Sequence, residues 1–243
     1  MMKRLVSILS TAIAVTASSG AMAQEVNLAS NENAIVQTVA AKLLNDIYKK
    51  AGLTANITPL PGARANAMAL AGDKDGEVAR IPAYFVKNPT LVKVEPGYYY
   101  LTTGAFAKAD KGITITSKDD LKKYQVGIVR GIAHAEAATE GLTGLQVVGS
   151  YDQLYKMLNA GRIDIAIDEG INGPSTLKGL GITGISQVGE IARLDLFNVL
   201  TPAKKDLAPK ISAAIKALKG SGELAKLTKR YEEEVVKSNP PGR

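Results

Sequence analysis

The sequence predicts an α/β protein of two α/β lobes, joined by two crossing segments, with a ligand cleft between them. Three observations lead there. Short apolar runs of strand length alternate with amphipathic stretches of helix length over residues 26–81 and again over residues 118–180. Extended apolar runs at 98–106 and 195–201 bracket the second alternating stretch, so each can carry the chain from one lobe to the other. The strand 163–167 delivers Asp168 and Glu169 to its carboxyl end, the edge at which open α/β sheets bind ligands.

The elements follow in order. Residues 26–30 read as a strand, and Asn31 or Asn33 can cap a helix whose Ile35, Val39, Leu43 and Ile47 share one face until Gly52 stops it. A second strand covers 54–58, Pro59, Pro61 and Gly62 punctuate it, and a short helix over 63–70 carries Arg64 in its first turn. Residues 76–81 form the next strand, with Arg80 near its end. Extended runs at 91–95 and 98–106 are joined through Pro96-Gly97. Helices are expected near 118–124, 133–140, 151–159 and 172–180, around a strand at 126–129 and the strand that ends in Asp168. Two charged amphipathic helices, 206–218 and 222–236, close the chain before the fraying tail Asn239-Pro240-Pro241-Gly242. Residues 24–106 with 195–243 therefore form one discontinuous lobe and 107–194 the other, each with its own parallel-type sheet.

The first 23 residues read as an export signal. Lys3 and Arg4 open it, residues 5–17 form an apolar stretch too short and too interrupted for a membrane span, and Ala21-Met22-Ala23 offers the small residues a signal peptidase reads. Cleavage is expected before Gln24. The chain has no cysteine, which excludes disulfides, thiolate catalysis, thiolate metal sites and a lipidated anchor. A soluble periplasmic protein is the expectation, a monomer with no cofactor.

Removal of Lys3 and Arg4 leaves 28 basic against 23 acidic residues. Much of that surplus is lysine on exposed helix faces, as at Lys204, Lys205, Lys210, Lys216 and Lys219, which suits solvation. The basic residues are not interleaved with aromatics and no nucleic-acid motif occurs, so no nucleic-acid partner is expected. His134 is the sole histidine, which makes no zinc site without cysteine and no serine triad without a G-x-S-x-G elbow.

Five segments, "PLPGARANAMALAGDKDG", "PGYYYLTTGAFAK", "DLKKYQVGIVRG", "LNAGRIDIAID" and "ISAAIKALKGSGELAKLTKRYEEE", in this order and spacing resemble the family 3 extracellular solute-binding proteins. The resemblance covers nearly all of the chain beyond residue 23. It implies a type II periplasmic-binding fold that closes over a small polar, carboxylate-bearing solute, an amino acid or organic acid. An inner-membrane ABC-type permease or a sensor would be the partner. In amino-acid-binding members of that family a first-lobe Arg in a T-x-x-R context holds the α-carboxylate and a second-lobe Asp holds the ammonium. Asp168 matches the second role, whereas "EVARIPAYFVKNPTLV" lacks T-x-x-R and offers Arg80 instead.

A planar guanidinium binds a carboxylate through two parallel hydrogen bonds, so Arg64, Arg80 and Arg130 are the candidate cations. Arg130 precedes Gly131 at a strand-to-helix turn, where free N–H groups can add to its charge. Arg80 can equally pair with Glu77 or Asp75, and Arg64 can serve in a salt bridge near the hinge. Asp168 can meet the ligand or cap the helix that follows. Strand alternation sets Tyr99 opposite Tyr98 and Tyr100, one side lining the cleft and the other the core. The placement of His134 just after Gly131 allows a ligand hydrogen bond. Two alternatives remain open: an enzyme on the same fold, resembling cyclohexadienyl dehydratases with Glu169 as the acid, and a sensor-partner module without a transporter.

Overall fold

The computed structural model describes residues 24–32 and 34–238. The leader expected over residues 1–23, the cap option at Asn33 and the tail from Asn239 lie outside them.

The chain begins as two parallel strands around a helix. Strand β1 (Gln24–Asn31) pairs with β2 (Leu53–Leu60) along its whole length, and helix α1 (Ile35–Lys50) returns between them with Val39, Leu43 and Ile47 fully buried. Gly52, at φ 62°, supplies the left-handed residue that turns α1 into β2. The capping role expected of Asn31 is not met: Asn31 is the last residue of β1, and Ala34 stands at the cap with no side-chain hydrogen bond. Helix α2 (Gly62–Ala71) then leads to β3 (Gly76–Arg80), parallel to β1. A helix absent from the sequence reading, α3 (Pro82–Lys87), starts on Pro82, whose fixed φ suits a first helical turn.

From here the chain runs through the molecule. Strand β4 (Val92–Lys108) enters it, a 3₁₀ turn (Lys118–Lys123) replaces the helix expected there, and β5 (Val126–Val129), α4 (Ala133–Thr139), β6 (Gln146–Val148), α5 (Tyr151–Asn159), β7 (Ile165–Glu169) and α6 (Asn172–Gly179) follow. Strand β8 (Ile185–Leu200) returns, and α7 (Ala208–Gly220) and α8 (Glu223–Ser238) pack back near α1. Among the described residues no helix is long and apolar enough to cross a membrane.

Two separate sheets were expected, and the described residues form one. Its eight strands run β2-β1-β3-β8-β4-β7-β5-β6. The reason is length: β4 and β8 span 17 and 16 residues and pair antiparallel from Val92↔Leu200 to Lys108↔Ile185, so a single ladder joins the two halves. The return strand thus begins at Ile185, ahead of the extended run read at 195–201.

The apolar core is nevertheless divided. One cluster gathers Val26, Leu28, Leu43, Ile47 and Val78 with Tyr99, Leu196 and Ile215. Beyond the crossing, Ala105, Ile128, Ile165 and Ile167 pack on one side of the sheet, while Phe106, Leu154, Tyr155 and Ala166 pack on the other. Along β4 the division falls between Tyr99 and Ala105, which leaves a few ribbon residues to connect two cores.

Gly76 shows how tightly β3 is seated. A Cβ there would stand 1.9 Å from the Val199 carbonyl oxygen, which is backbone and cannot turn aside. Gly76→Ala is expected to lower stability by about 3 kcal/mol or more, whereas Gly220→Ala, with nothing within 4 Å, should change it by less than about 1 kcal/mol. Denaturant unfolding of the two variants checks the contrast.

Candidate functional site

The carboxyl end of β7 meets β4 where the core divides. Thr103 pairs with Glu169 and Gly104 with Asp168, and the Gly170 N–H donates to the Thr102 carbonyl at 3.2 Å. A cavity of about 350 Å³ opens beside this junction. Its walls are Tyr99, Tyr100 and Thr102 from β4, Glu169 to Ile171 after β7, Gln187, Glu190 and Arg193 from β8, and Glu232 and Glu233 from α8. Four carboxylates and one guanidinium thus border it.

The aromatic wall is set by α8. Tyr99 and Tyr100 both donate to Glu232 Oε1, at 3.1 and 2.9 Å, and their rings lie 4.9 Å apart. Tyr98 turns the other way, buried with its hydroxyl donating to the Val78 carbonyl at 2.9 Å. The expected partition, with Tyr98 and Tyr100 opposed to Tyr99, is corrected: strict alternation requires a regular ladder, and the β4–β8 register shifts between Val94 and Tyr99. Burial raises the Tyr99 hydroxyl far above the ordinary phenol range and moves Tyr100 to about 12, both with help from the nearby Glu232 charge. The Arg193 guanidinium lies 4.0 Å over the Tyr100 ring and pairs with Glu190 at 2.9 and 3.0 Å.

Asp168 and Glu169 sit in unequal surroundings. Asp168 is wholly buried and accepts from Tyr155 at 3.0 Å, from Asn172 Nδ2 at 3.0 and 2.8 Å, and from the Glu169 N–H at 2.6 Å. It does not cap α6, whose cap position is Ile171. Its contact is with Asn172, which lines a second cavity of about 430 Å³ together with Ser30, Asn31, Ile35 and Val235. Burial lifts the Asp168 carboxyl to about 7 despite those donors. Glu169 has no such donors: its Oε1 is buried without a hydrogen-bond partner among the described residues, and burial followed by repulsion from Asp168 lifts it to about 8. Asn31 Oδ1, at the carboxyl end of β1, is likewise buried and unpartnered.

The structure does not bring the three candidate arginines to this cavity. Arg80 is held by Glu77, with Nε 2.8 Å from Oε2 and a second contact through Nη2, and it stacks 4.7 Å from the Tyr84 ring. The Tyr84 hydroxyl in turn sits between Glu77 and Asn66 Oδ1. Arg64 and Arg130 are exposed, and among the described residues neither forms an ion pair. The anion-binding turn expected at Gly131 is already occupied: its N–H donates to Glu136 Oε1 at 2.8 Å, and α4 is only seven residues long. His134 Nδ1 lies 3.1 Å from Thr103 Oγ1, and burial lowers its pKa, which favours the neutral ring.

Tyr99 and Glu169 were visible as candidates in the sequence; Glu190, Arg193 and Glu232 were not. Glu190 and Arg193 come from the return strand and Glu232 from the C-terminal helix, which reads in the sequence as a charged amphipathic helix. Only the packing of α8 near β4 gives them a shared purpose.

No protein-family model and no curated protein matches the chain. Among solved structures it is similar to the unliganded, open L-cystine solute receptor of Neisseria gonorrhoeae, with a TM-score of 0.70 and 17% identity over 86% of this chain and 93% of that one. It is similar to the open substrate-binding domain 2 of Lactococcus lactis GlnP, at a TM-score of 0.66 and 19% identity over 86% and 97% of the two chains. A histidine kinase sensor domain with similarity to periplasmic binding proteins follows, at 0.61 and 15% over 86% and 96%. At these identities the likeness shows the fold, which is that of the type II periplasmic binding proteins. The fold implied by the five segments is therefore the one the chain adopts.

The two buried acids generate a prediction. A folded-state value above the unfolded one means that the folded chain holds its proton more tightly. The stability that Asp168 and Glu169 contribute is therefore present below about pH 4 and lost as pH rises through 7 and 8. The melting temperature should fall by about 5 °C or more between pH 5 and pH 8 from these groups, and the fall should be smaller in Glu169→Gln, as thermal unfolding followed by circular dichroism will show.

Proposed function

We propose that this protein is a periplasmic solute-binding protein. It captures a small polar solute, an amino acid or organic acid, and presents it to an ABC-type transporter or a sensor. The observation that carries the reading is the cavity at the division of the core, walled by residues from both sides of the crossing, with Glu169 at the end of β7 among them. Both a substrate-binding domain of an amino acid ABC transporter and a kinase sensor domain are similar in fold, which supports both kinds of partner.

In this reading residues 24–106 and 195–243 form one lobe, 107–194 the other, and residues 1–23 are the cleaved leader. Tyr99 and Glu169 meet the solute directly, while Asp168 positions Asn172. Arg64 and Arg130 are available to a solute carboxylate when the lobes move; Arg80 becomes available only if Glu77 releases it. Contacts to both lobes favour the closed state because they exist in full only there.

A thermal-shift screen of residues 24–243, unfolded and refolded to strip carried-over ligand, tests the proposal against amino acids, organic acids, sugars and polyamines. A true solute at a hundred times its Kd adds about 2.7 kcal/mol, which for this length is a rise of about 5–10 °C. A complete panel without a shift would sink the reading. A hit lost on Arg130→Ala would assign the carboxylate to that arginine.

One observation favours a second reading, a cyclohexadienyl dehydratase-like enzyme. At about 8, the Glu169 carboxyl is largely protonated at neutral pH, the state a general acid needs. Prephenate and arogenate are expected to be inert with this protein. Turnover that vanishes in Glu169→Gln would replace the receptor by the enzyme.

A further inference from the structure

Away from the β4–β8 ribbon, the two halves of the molecule approach each other at α6 and α8. Taking the two lobes of the receptor reading, we propose that Lys178 is a latch between them. From α6 it binds the last carbonyls of α8, holds the halves in the arrangement seen here, and so sets how readily they part.

Each helix is fastened to its own half. Helix α8 is tied to α1 by the Lys42–Glu234 pair at 3.1 Å and by the Tyr231 hydroxyl, which donates to Asp46 at 2.5 Å. On α6, Leu177 is buried in the cluster of Phe106, Leu154 and Tyr155 beyond the crossing. Lys178, the next residue, is exposed and reaches out of that half. Its Nζ donates to the Lys237 carbonyl at 2.7 Å and to the Val236 carbonyl at 3.4 Å.

Those carbonyls need a donor from elsewhere. The last four carbonyls of a helix have no partner within it. The usual remedy is an N–H from just beyond the cap, and Pro240 and Pro241 carry none. An ammonium there also meets the negative end of the helix dipole. The neighbouring acids of α8 are engaged within the first half, Glu234 with Lys42 and Glu232 with the two tyrosines, which leaves Lys178 to the carbonyls.

The contact is narrow, which is what lets one side chain weigh in it. Pro174 and Val236 border the 350 Å³ cavity on one side, and Asn172, Val235 and Ser238 border the 430 Å³ cavity on the other. Ile171, packed against the first core, is the apolar contact that accompanies Lys178. Both cavities are walled by residues from both halves, so parting α6 from α8 opens both at once and exposes little of either core.

The chain has no cysteine, so spin labels placed through Ala67→Cys on α2 and Ala137→Cys on α4 report the separation of the halves by double electron–electron resonance. Both positions are exposed and lie on opposite sides of the crossing. In the protein without solute, Lys178→Met keeps the stem and removes the charge. We expect it to raise the ratio of longer to shorter distances about threefold, while Lys178→Arg stays near the unsubstituted distribution. Added salt should move the unsubstituted protein in the same direction and leave Lys178→Met unchanged, because the ammonium is exposed to screening. If Lys178→Met does not fold, the salt series decides. Hydrogen exchange supplies the contrast: faster exchange at residues 235–238 of Lys178→Met with unchanged distances makes Lys178 a helix cap and overturns the latch. Equal shifts in Lys178→Met and Lys178→Arg overturn it too, since the charge would not be what holds. A distance that responds to a solute but not to Lys178→Met overturns the latch and leaves the receptor standing. One fixed distance under every condition removes the two-lobe motion along with it.

Discussion

The pairing of β4 with β8 is the constraint on which the remaining architecture depends. Each strand is long enough to pass through both halves of the molecule, and their ladder runs from Val92↔Leu200 to Lys108↔Ile185. Strands β3 and β7 attach to the two flanks of this ribbon, both antiparallel to their ribbon partner, and the remaining strands add outward from them. The two halves therefore share backbone hydrogen bonds although they do not share a hydrophobic core. A two-stranded ribbon bends more readily than a packed interface shears, since twisting it disturbs few side-chain contacts. The register shifts at Val94/Tyr99, Thr103/Gly104 and Ala105/Phe106 lie on this ribbon, two of them at the edge of the division.

That junction concentrates the polar groups that folding would otherwise leave in water. Asp168 is buried at the cost of desolvation and is offset by four donor contacts, which orient Asn172 toward the second cavity. Glu169, one residue on, is buried with far less compensation. Adjacent residues on a strand end face different surroundings, so two neighbouring acids acquire different tasks: one holds structure and the other faces a cavity. The orphaned oxygens of Glu169 and Asn31 stand at the carboxyl ends of β7 and β1, where this sheet class places its ligand edge. Buried polar atoms without a partner cost stability, and a group that supplied their hydrogen bonds would restore it.

The C-terminal helix ties the site together. Helix α8 packs on α1, holds Tyr99 and Tyr100 through Glu232, and receives Lys178 from α6 on its final carbonyls. It thus touches elements on both sides of the crossing, and any motion between the halves has to be accommodated along its last two turns. Its polar face, which in isolation needs only water, is one wall of the cavity.

Local pattern alone determined much of this protein. The apolar period of α1, the Gly52 stop, the Pro-Gly-marked entry to α2, the strand at 126–129 and the boundaries of α5 were all legible, because each depends on residues within a few positions of one another. Asp168 and Glu169 at a strand end were legible for the same reason. The order of five segments added the fold. The tertiary structure alone decided that the two expected sheets are one, that Tyr99 and Tyr100 share a partner, that Gly131 already serves Glu136, and that Arg80 belongs to Glu77. It also decided that Glu190, Arg193 and Glu232 border the same cavity as Glu169. Those outcomes depend on pairing and charge contacts between residues far apart in the chain or on competition among nearby partners. A sequence names the charges, but burial and distance decide which of them remain unmatched.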